Sequence, residues 1–254
     1  MTGRFADKSV LILGGSSGIG RATAAAFVRE GAAVTITGRD EAKLAAVRAE
    51  LGVATIRAEL GNLAELRQAV DSAAEAADRI DVLFVNAGSA ALGRLARITP
   101  EGWDDCYNTN VRGCIFAMQY ALPHLVEGSS IVVSGSVAAY ETQPTVLAYS
   151  TAKAALHTAA RLIAADLAPR GIRVNTVVIG PTRSELYSRG ADPARVSQQE
   201  AAFAAEVPLG RMGDAAEVAA AVLFLSSPEA SFITGAELLV DGGHLRLSSP
   251  RRQA

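Results

Sequence analysis

The chain has 254 residues, enough for one large α/β domain or two small ones, and half of them are hydrophobic, so a substantial core can form. A net charge of −2 and a pI near 6.0 argue against a nucleic-acid-binding or anionic-membrane-binding protein. Cys106 and Cys114 have neither metal-site nor disulfide-framework spacing, and His124, His157 and His244 are scattered and read as ordinary surface or core residues.

Short β-branched runs alternate with longer alanine-rich segments. Ser9–Leu13 reads as a strand and Gly20–Arg29 as a helix, then Ala33–Thr37 as a strand and Glu41–Leu51 as a helix. Val53–Ala58 and Leu63–Ala77 repeat the pair, and so do Asp81–Val85 and one long or broken helix over Pro100–Leu125. Ser130–Ser134 is the next strand, followed by a helix over Tyr149–Leu167 and strands at Ile172–Val178 and Glu237–Val240. This order predicts βαβ units in a doubly wound, mainly parallel sheet with helices on both faces, forming one domain over residues 1–254. Thr182–Gly213 is polar and without a strand, as expected of a substrate lid, and His244–Ala254 is expected to fray. The N-terminus lacks a signal-peptide pattern, and no run of about 18 apolar residues occurs, so a soluble cytoplasmic protein is expected.

Two patterns carry chemistry. Leu13-Gly14-Gly15-Ser16-Ser17-Gly18-Ile19-Gly20 follows the first strand and opens the first helix. Glycines there let the backbone turn tightly and approach a phosphate, and the helix N-terminus favours the negative charge. The second is Tyr149-Ser-Thr-Ala-Lys153, with Ser136 thirteen residues upstream of Tyr149. Tyrosine and lysine four apart share one helix face. A nearby ammonium favours the phenolate, which fits a phenol for passing a proton to a carbonyl oxygen or taking one from an alcohol. Ser136 can supply a second hydrogen bond to the same oxygen.

The Gly-x-x-x-Gly-x-Gly spacing combined with Tyr149 and Lys153 resembles the short-chain dehydrogenase/reductase family over almost the whole chain. Asn86-Ala87-Gly88, Asn110, Ile172-Arg-Val-Asn175, Pro208–Gly213, Phe232–Gly235 and Val240-Asp-Gly-Gly243 match its further motifs in order. The resemblance implies a Rossmann-like fold and an oxidoreductase with Asn110, Ser136, Tyr149 and Lys153 as catalytic residues. It implies a nicotinamide cofactor against Gly14, Ser16, Ser17, Gly18, Ile19 and Gly20. Further cofactor positions are Arg39, Glu59, Leu60, Asn86, Ala87 and Gly88, then Tyr149, Lys153, Ile179, Gly180, Thr182 and Ser184. Ser136, Ala138, Tyr149 and Leu186 are the substrate-binding positions it implies. A homotetramer packed through helices starting near Thr109 and Tyr149 is the implied assembly.

The chain departs from the family pattern at Leu13, usually threonine, and Val85, usually asparagine. These lie on strands that neighbour each other in that fold, so they read as one compensated apolar swap. Ile179 replaces a common proline, Ser184 a threonine and Glu59 an aspartate. At the end of the second strand, where an acidic residue would bind the ribose hydroxyls of NAD(H), the chain has Gly38 and then Arg39. A guanidinium there suits a 2′-phosphate, so NADP(H) is favoured over NAD(H). The leading reading is a hydride transfer between this cofactor and a ketone or secondary alcohol. An NAD-linked alcohol dehydrogenase, a cofactor-binding regulator without turnover and a lyase or epimerase are the alternatives.

Overall fold

The structure, a computed structural model, describes residues 3–86, 88–89, 93–183 and 192–247. Within each central strand, successive side chains point to opposite faces, and both faces are apolar. The strands are β1 (Ser9–Leu13), β2 (Ala33–Gly38), β3 (Ala54–Arg57), β4 (Ile80–Val85), β5 (Leu125–Ser136), β6 (Arg173–Ile179) and β7 (Glu237–Val240). They form one parallel sheet in the order β3-β2-β1-β4-β5-β6-β7.

Leu11, Leu13, Leu83, Val85, Ile131 and Val133 face one core, closed by α3 (Leu63–Ala77), α5 (Cys114–Ala121) and α6 (Leu147–Leu167). Val10, Ile12, Ile36, Val82, Phe84 and Val132 face the other, covered by α1 (Gly18–Arg29) and α2 (Glu41–Leu51) and by a further helix over Ala215–Ser226. The helix starts follow local chemistry. Asp40 caps α2 by accepting from the Lys43 N–H, and Asn62 caps α3 by accepting from the Ala64 and Glu65 N–H groups.

Of the two forms expected over Pro100–Leu125, one long helix or a broken one, the structure has the broken one. Thr99 caps α4 (Pro100–Tyr107), a π-helical segment spans Asn108–Gly113, α5 follows, and a 3-10 turn ends it at His124. Strand β5 starts earlier than expected, because Leu125 pairs with Ile80 before a register irregularity. The segment expected to be a lid contains α7 (Pro193–Glu206), and α8 is the Ala215–Ser226 helix, which sequence reading passed over. Its signal is Asp214 followed by Glu217, whose carboxylate accepts the Asp214 N–H at 2.8 Å, ahead of an apolar run.

The tail expected to fray from His244 is held over its first residues. Asp241 accepts from the Gly243 and Leu245 N–H groups at 2.8 and 2.9 Å, and His244 Nε2 contacts Glu141. The rest of that tail, from residue 248, lies outside the described residues.

Candidate active site

The strand order reverses between β1 and β4, which opens a crevice at the carboxyl ends of the strands. The glycine turn lies there. Gly14 has φ +88° and Gly18 φ +51°, both in the left-handed region. A Cβ on Gly20 would lie 1.9 Å from the Gly14 carbonyl oxygen, so only glycine lets α1 sit this close to the turn. Ser17, the N-cap of α1, makes no side-chain cap bond. The first N–H groups of α1 thus form a donor set for an anion, with Ser16 and Ser17 half-buried beside them.

Leu13 and Val85 are registered opposite each other in the β1–β4 pair, both in the core. Sequence reading linked these two departures, and the sheet puts them side by side. One residue on, the Asn86 side chain donates to the Gly14 carbonyl at 2.8 Å and its N–H to the Leu13 carbonyl at 3.1 Å. Asn86 therefore pins the turn.

At the end of β2, a Cβ on Gly38 would lie 2.8 Å from Ser16 Oγ, so any larger side chain would displace that serine. Arg39 is exposed and pairs with Glu59, Nη1 to Oε1 at 3.4 Å. Leu60 is buried behind Glu59, and its carbonyl oxygen lies 2.3 Å from where a Cβ on Gly113 would be, so glycine admits the π segment against this loop.

Tyr149 and Lys153 lie one turn apart on α6. Lys153 Nζ is buried, sits 5.7 Å from the Tyr149 ring centroid and donates to the Ser134 carbonyl at 2.8 Å. The π segment carries Asn110 into the same region. Its side-chain nitrogen donates to the Ser89 and Cys106 carbonyls at 2.7 and 2.9 Å, while its buried Oδ1 has no partner among the described residues. A Cβ on Gly88 would lie 2.8 Å from Asn110 Oδ1 and 3.7 Å from Lys153 Nζ, which places the three residues together. Ser136 ends β5, and its Oγ accepts the Ala138 N–H at 3.2 Å, so the hydroxyl proton is left to donate.

Sequence reading missed His157, one turn beyond Lys153 on α6. It is buried, and its Nε2 accepts the Ser136 N–H at 3.2 Å. Nδ1 is 3.3 Å from the Tyr140 hydroxyl and 3.5 Å from Glu237 Oε2. Burial, with the charges of Lys153 and Arg161, pushes this imidazole down to about 4. Tyr140, in the turn after β5, directs its hydroxyl to this histidine. The signal for His157 was its i, i+4 spacing from Lys153.

Ile179 ends β6, the Gly180 N–H donates to the Val240 carbonyl at 3.0 Å, and Thr182 Oγ1 donates to the Gly180 carbonyl at 3.0 Å. Ala138 is buried beside Ser136. Ala87, Ser184 and Leu186 lie outside the described residues. The glycine cradle and the bare N-terminus of α1 fit a dinucleotide.

A family model described as enoyl-(acyl carrier protein) reductase matches residues 14–244. The oxidoreductase asL5 of Sarocladium schorii is 36% identical, covering 94% of this chain and 96% of its own length. The glucose 1-dehydrogenase of Gluconobacter oxydans is 34% identical, covering 94% of this chain and 92% of its own. A solved short-chain dehydrogenase of Burkholderia cenocepacia in complex with NADP has a TM-score of 0.85 at 37% identity, covering 95% of this chain and 99% of its own. With the parallel sheet, the glycine turn and these relatives together, the chain belongs to the short-chain dehydrogenase/reductase family and is an oxidoreductase of that type.

Proposed function

We propose that the chain transfers a hydride between NADP(H), favoured over NAD(H), and a ketone or secondary alcohol, with Tyr149 as proton donor in reduction and acceptor in oxidation. The observation that carries this reading is the buried Lys153 ammonium beside the Tyr149 ring, next to the unpartnered Asn110 oxygen. When bound, the cofactor supplies or accepts the hydride.

Each protein group then has a defined task. Tyr149 moves the proton at the substrate oxygen. Lys153 places positive charge on the phenol side of the site and can donate to ribose hydroxyls. Ser136, its Oγ held by the Ala138 N–H, donates its own proton to the substrate oxygen, a contribution that can be worth about 3 kcal/mol. Asn110 Oδ1 accepts from a water that links Lys153 to solvent, which accounts for a buried acceptor without a partner among the described residues.

The preference for NADP(H) is supported by Gly38, which leaves no carboxylate at the ribose, and by Arg39. Arg39 has an exposed contact to Glu59, and such pairs are worth about 0–1 kcal/mol, so the guanidinium can turn to a phosphate. The NADP bound in the Burkholderia cenocepacia relative and the name of the glucose dehydrogenase relative are in keeping with this reading. A homotetramer is part of it, supported by Ala155, Ala159 and the exposed Leu162 along the outer side of α6. So is a cytoplasmic location, supported by two buried free thiols.

The test is a panel of ketones and alcohols, ethyl acetoacetate among them, followed through nicotinamide absorbance with both cofactors. Tyr149→Phe should lower turnover at least about a hundredfold and leave NADPH binding, read by fluorescence, intact. Substantial residual turnover would overturn the assignment. Cofactor binding without turnover on any compound would favour a regulator.

A further inference from the structure

We infer that His157 is a positioning residue for Ser136, fixing the serine's backbone by accepting its N–H. The inference rests on the reading of Ser136 as the group that polarises the substrate oxygen.

Two side chains of α6, one turn apart, straddle the peptide of Gly135. Lys153 donates to the carbonyl of Ser134 at 2.8 Å, and His157 accepts the N–H of Ser136 at 3.2 Å. The end of β5 is thereby held through the carbonyl before Gly135 and the N–H after it, just where the serine hydroxyl must meet substrate. The ring is fitted to its place: a Cβ on Gly135 would lie 2.4 Å from His157 Nε2, so glycine is what admits the imidazole edge-on.

Accepting a hydrogen bond at Nε2 leaves the proton on Nδ1 in the neutral ring. That side is 3.3 Å from the Tyr140 hydroxyl and 3.5 Å from Glu237 Oε2, and Glu237 is itself held by Arg161. The charged and titratable groups facing the ring are therefore Lys153 and Arg161 from α6, Glu237 from β7 and Tyr140 from the loop after β5. With the ring 3% exposed, no solvent replaces the acceptor once it is removed.

The test uses the full chain with NADPH and ethyl acetoacetate. His157→Leu should lower kcat about tenfold with NADPH affinity unchanged, because one hydrogen bond that orients the serine is lost. His157→Gln, whose amide oxygen can accept the same N–H, should recover most of it. In a Ser136→Ala background, His157→Leu should cost nothing further, since the group it positions is gone. A loss that persists in that background, or a His157→Leu enzyme with full turnover, overturns the inference. A Ser136→Ala enzyme with undiminished turnover overturns instead the reading of the site beneath it.

A measurement independent of turnover is available because the chain has three histidines. Nitrogen NMR of histidine-labelled protein should place the His157 proton on Nδ1 and leave Nε2 as an unprotonated acceptor. A protonated Nε2 at neutral pH would sink the proposal.

Discussion

Arg39 is exposed and held only loosely by Glu59, so its charge is free to meet a 2′-phosphate. Arg39→Ala should weaken NADPH binding about tenfold to a hundredfold relative to NADH, the worth of charge-assisted hydrogen bonds to phosphate. Equal losses for the two cofactors in a fluorescence titration would remove the argued preference. His157 makes a second prediction, on stability. Its folded value of about 4 lies below the ordinary 6.5, so between those values the unfolded chain binds more protons. The contribution of the neutral buried ring is fully present above 6.5 and is lost as pH falls toward 4, by up to about 3 kcal/mol. His157→Gln should therefore lose less thermal stability across that window. Parallel melting curves for the two proteins against pH would count against this.

At the scale of elements, the β1–β4 pair carries Leu13 against Val85, with no polar group between them to satisfy. Leu13→Thr should cost about 1–3 kcal/mol by burying a hydroxyl without a partner, and lower the Tm by several degrees. Adding Val85→Asn supplies the partner, and part of the loss should return. Strictly additive losses in that double-mutant cycle would mean that the positions are independent. The π segment is the other element that matters to the site. Its extra residue per turn carries Asn110 toward Gly88 and Lys153, and such bulges recur at functional sites.

Across the whole molecule, the site lies at the carboxyl ends of the strands, where the strand order reverses. A cavity of about 470 Å³ opens at the opposite edge, lined by Arg4, Lys8, Asp81 and Arg173 among others. Its charges are accounted for locally. Lys8 pairs with Asp81, Arg4 with Glu30, and Arg173 donates to the Leu225 and Ser227 carbonyls at the end of α8. It braces the fold. The outer side of α6 is different, because Leu162 there is 68% exposed beside small residues that allow a second helix to approach. Light scattering should give a tetramer, and Leu162→Glu should shift it to smaller species. A wild-type monomer would refute the assembly.

Much was legible in the chain itself. The β-branched runs, the alanine-rich segments between them and the glycine turn are local features of the sequence, so fold class and the order of elements along the chain could be read from them. The Tyr149–Lys153 pair could be read for the same reason, since four residues on a helix is a local distance. Other features depend on what lies across space. The place and π form of the break between α4 and α5, where Gly113 meets Leu60 and Asn110 meets Ser89, and the anchoring of His244 by Glu141 depend on partners far along the chain. His157 is the sharpest case. As a residue type it is unremarkable, and only the tertiary structure, by burying it between Gly135, Tyr140 and Glu237, decides that its nitrogen must accept from the serine backbone.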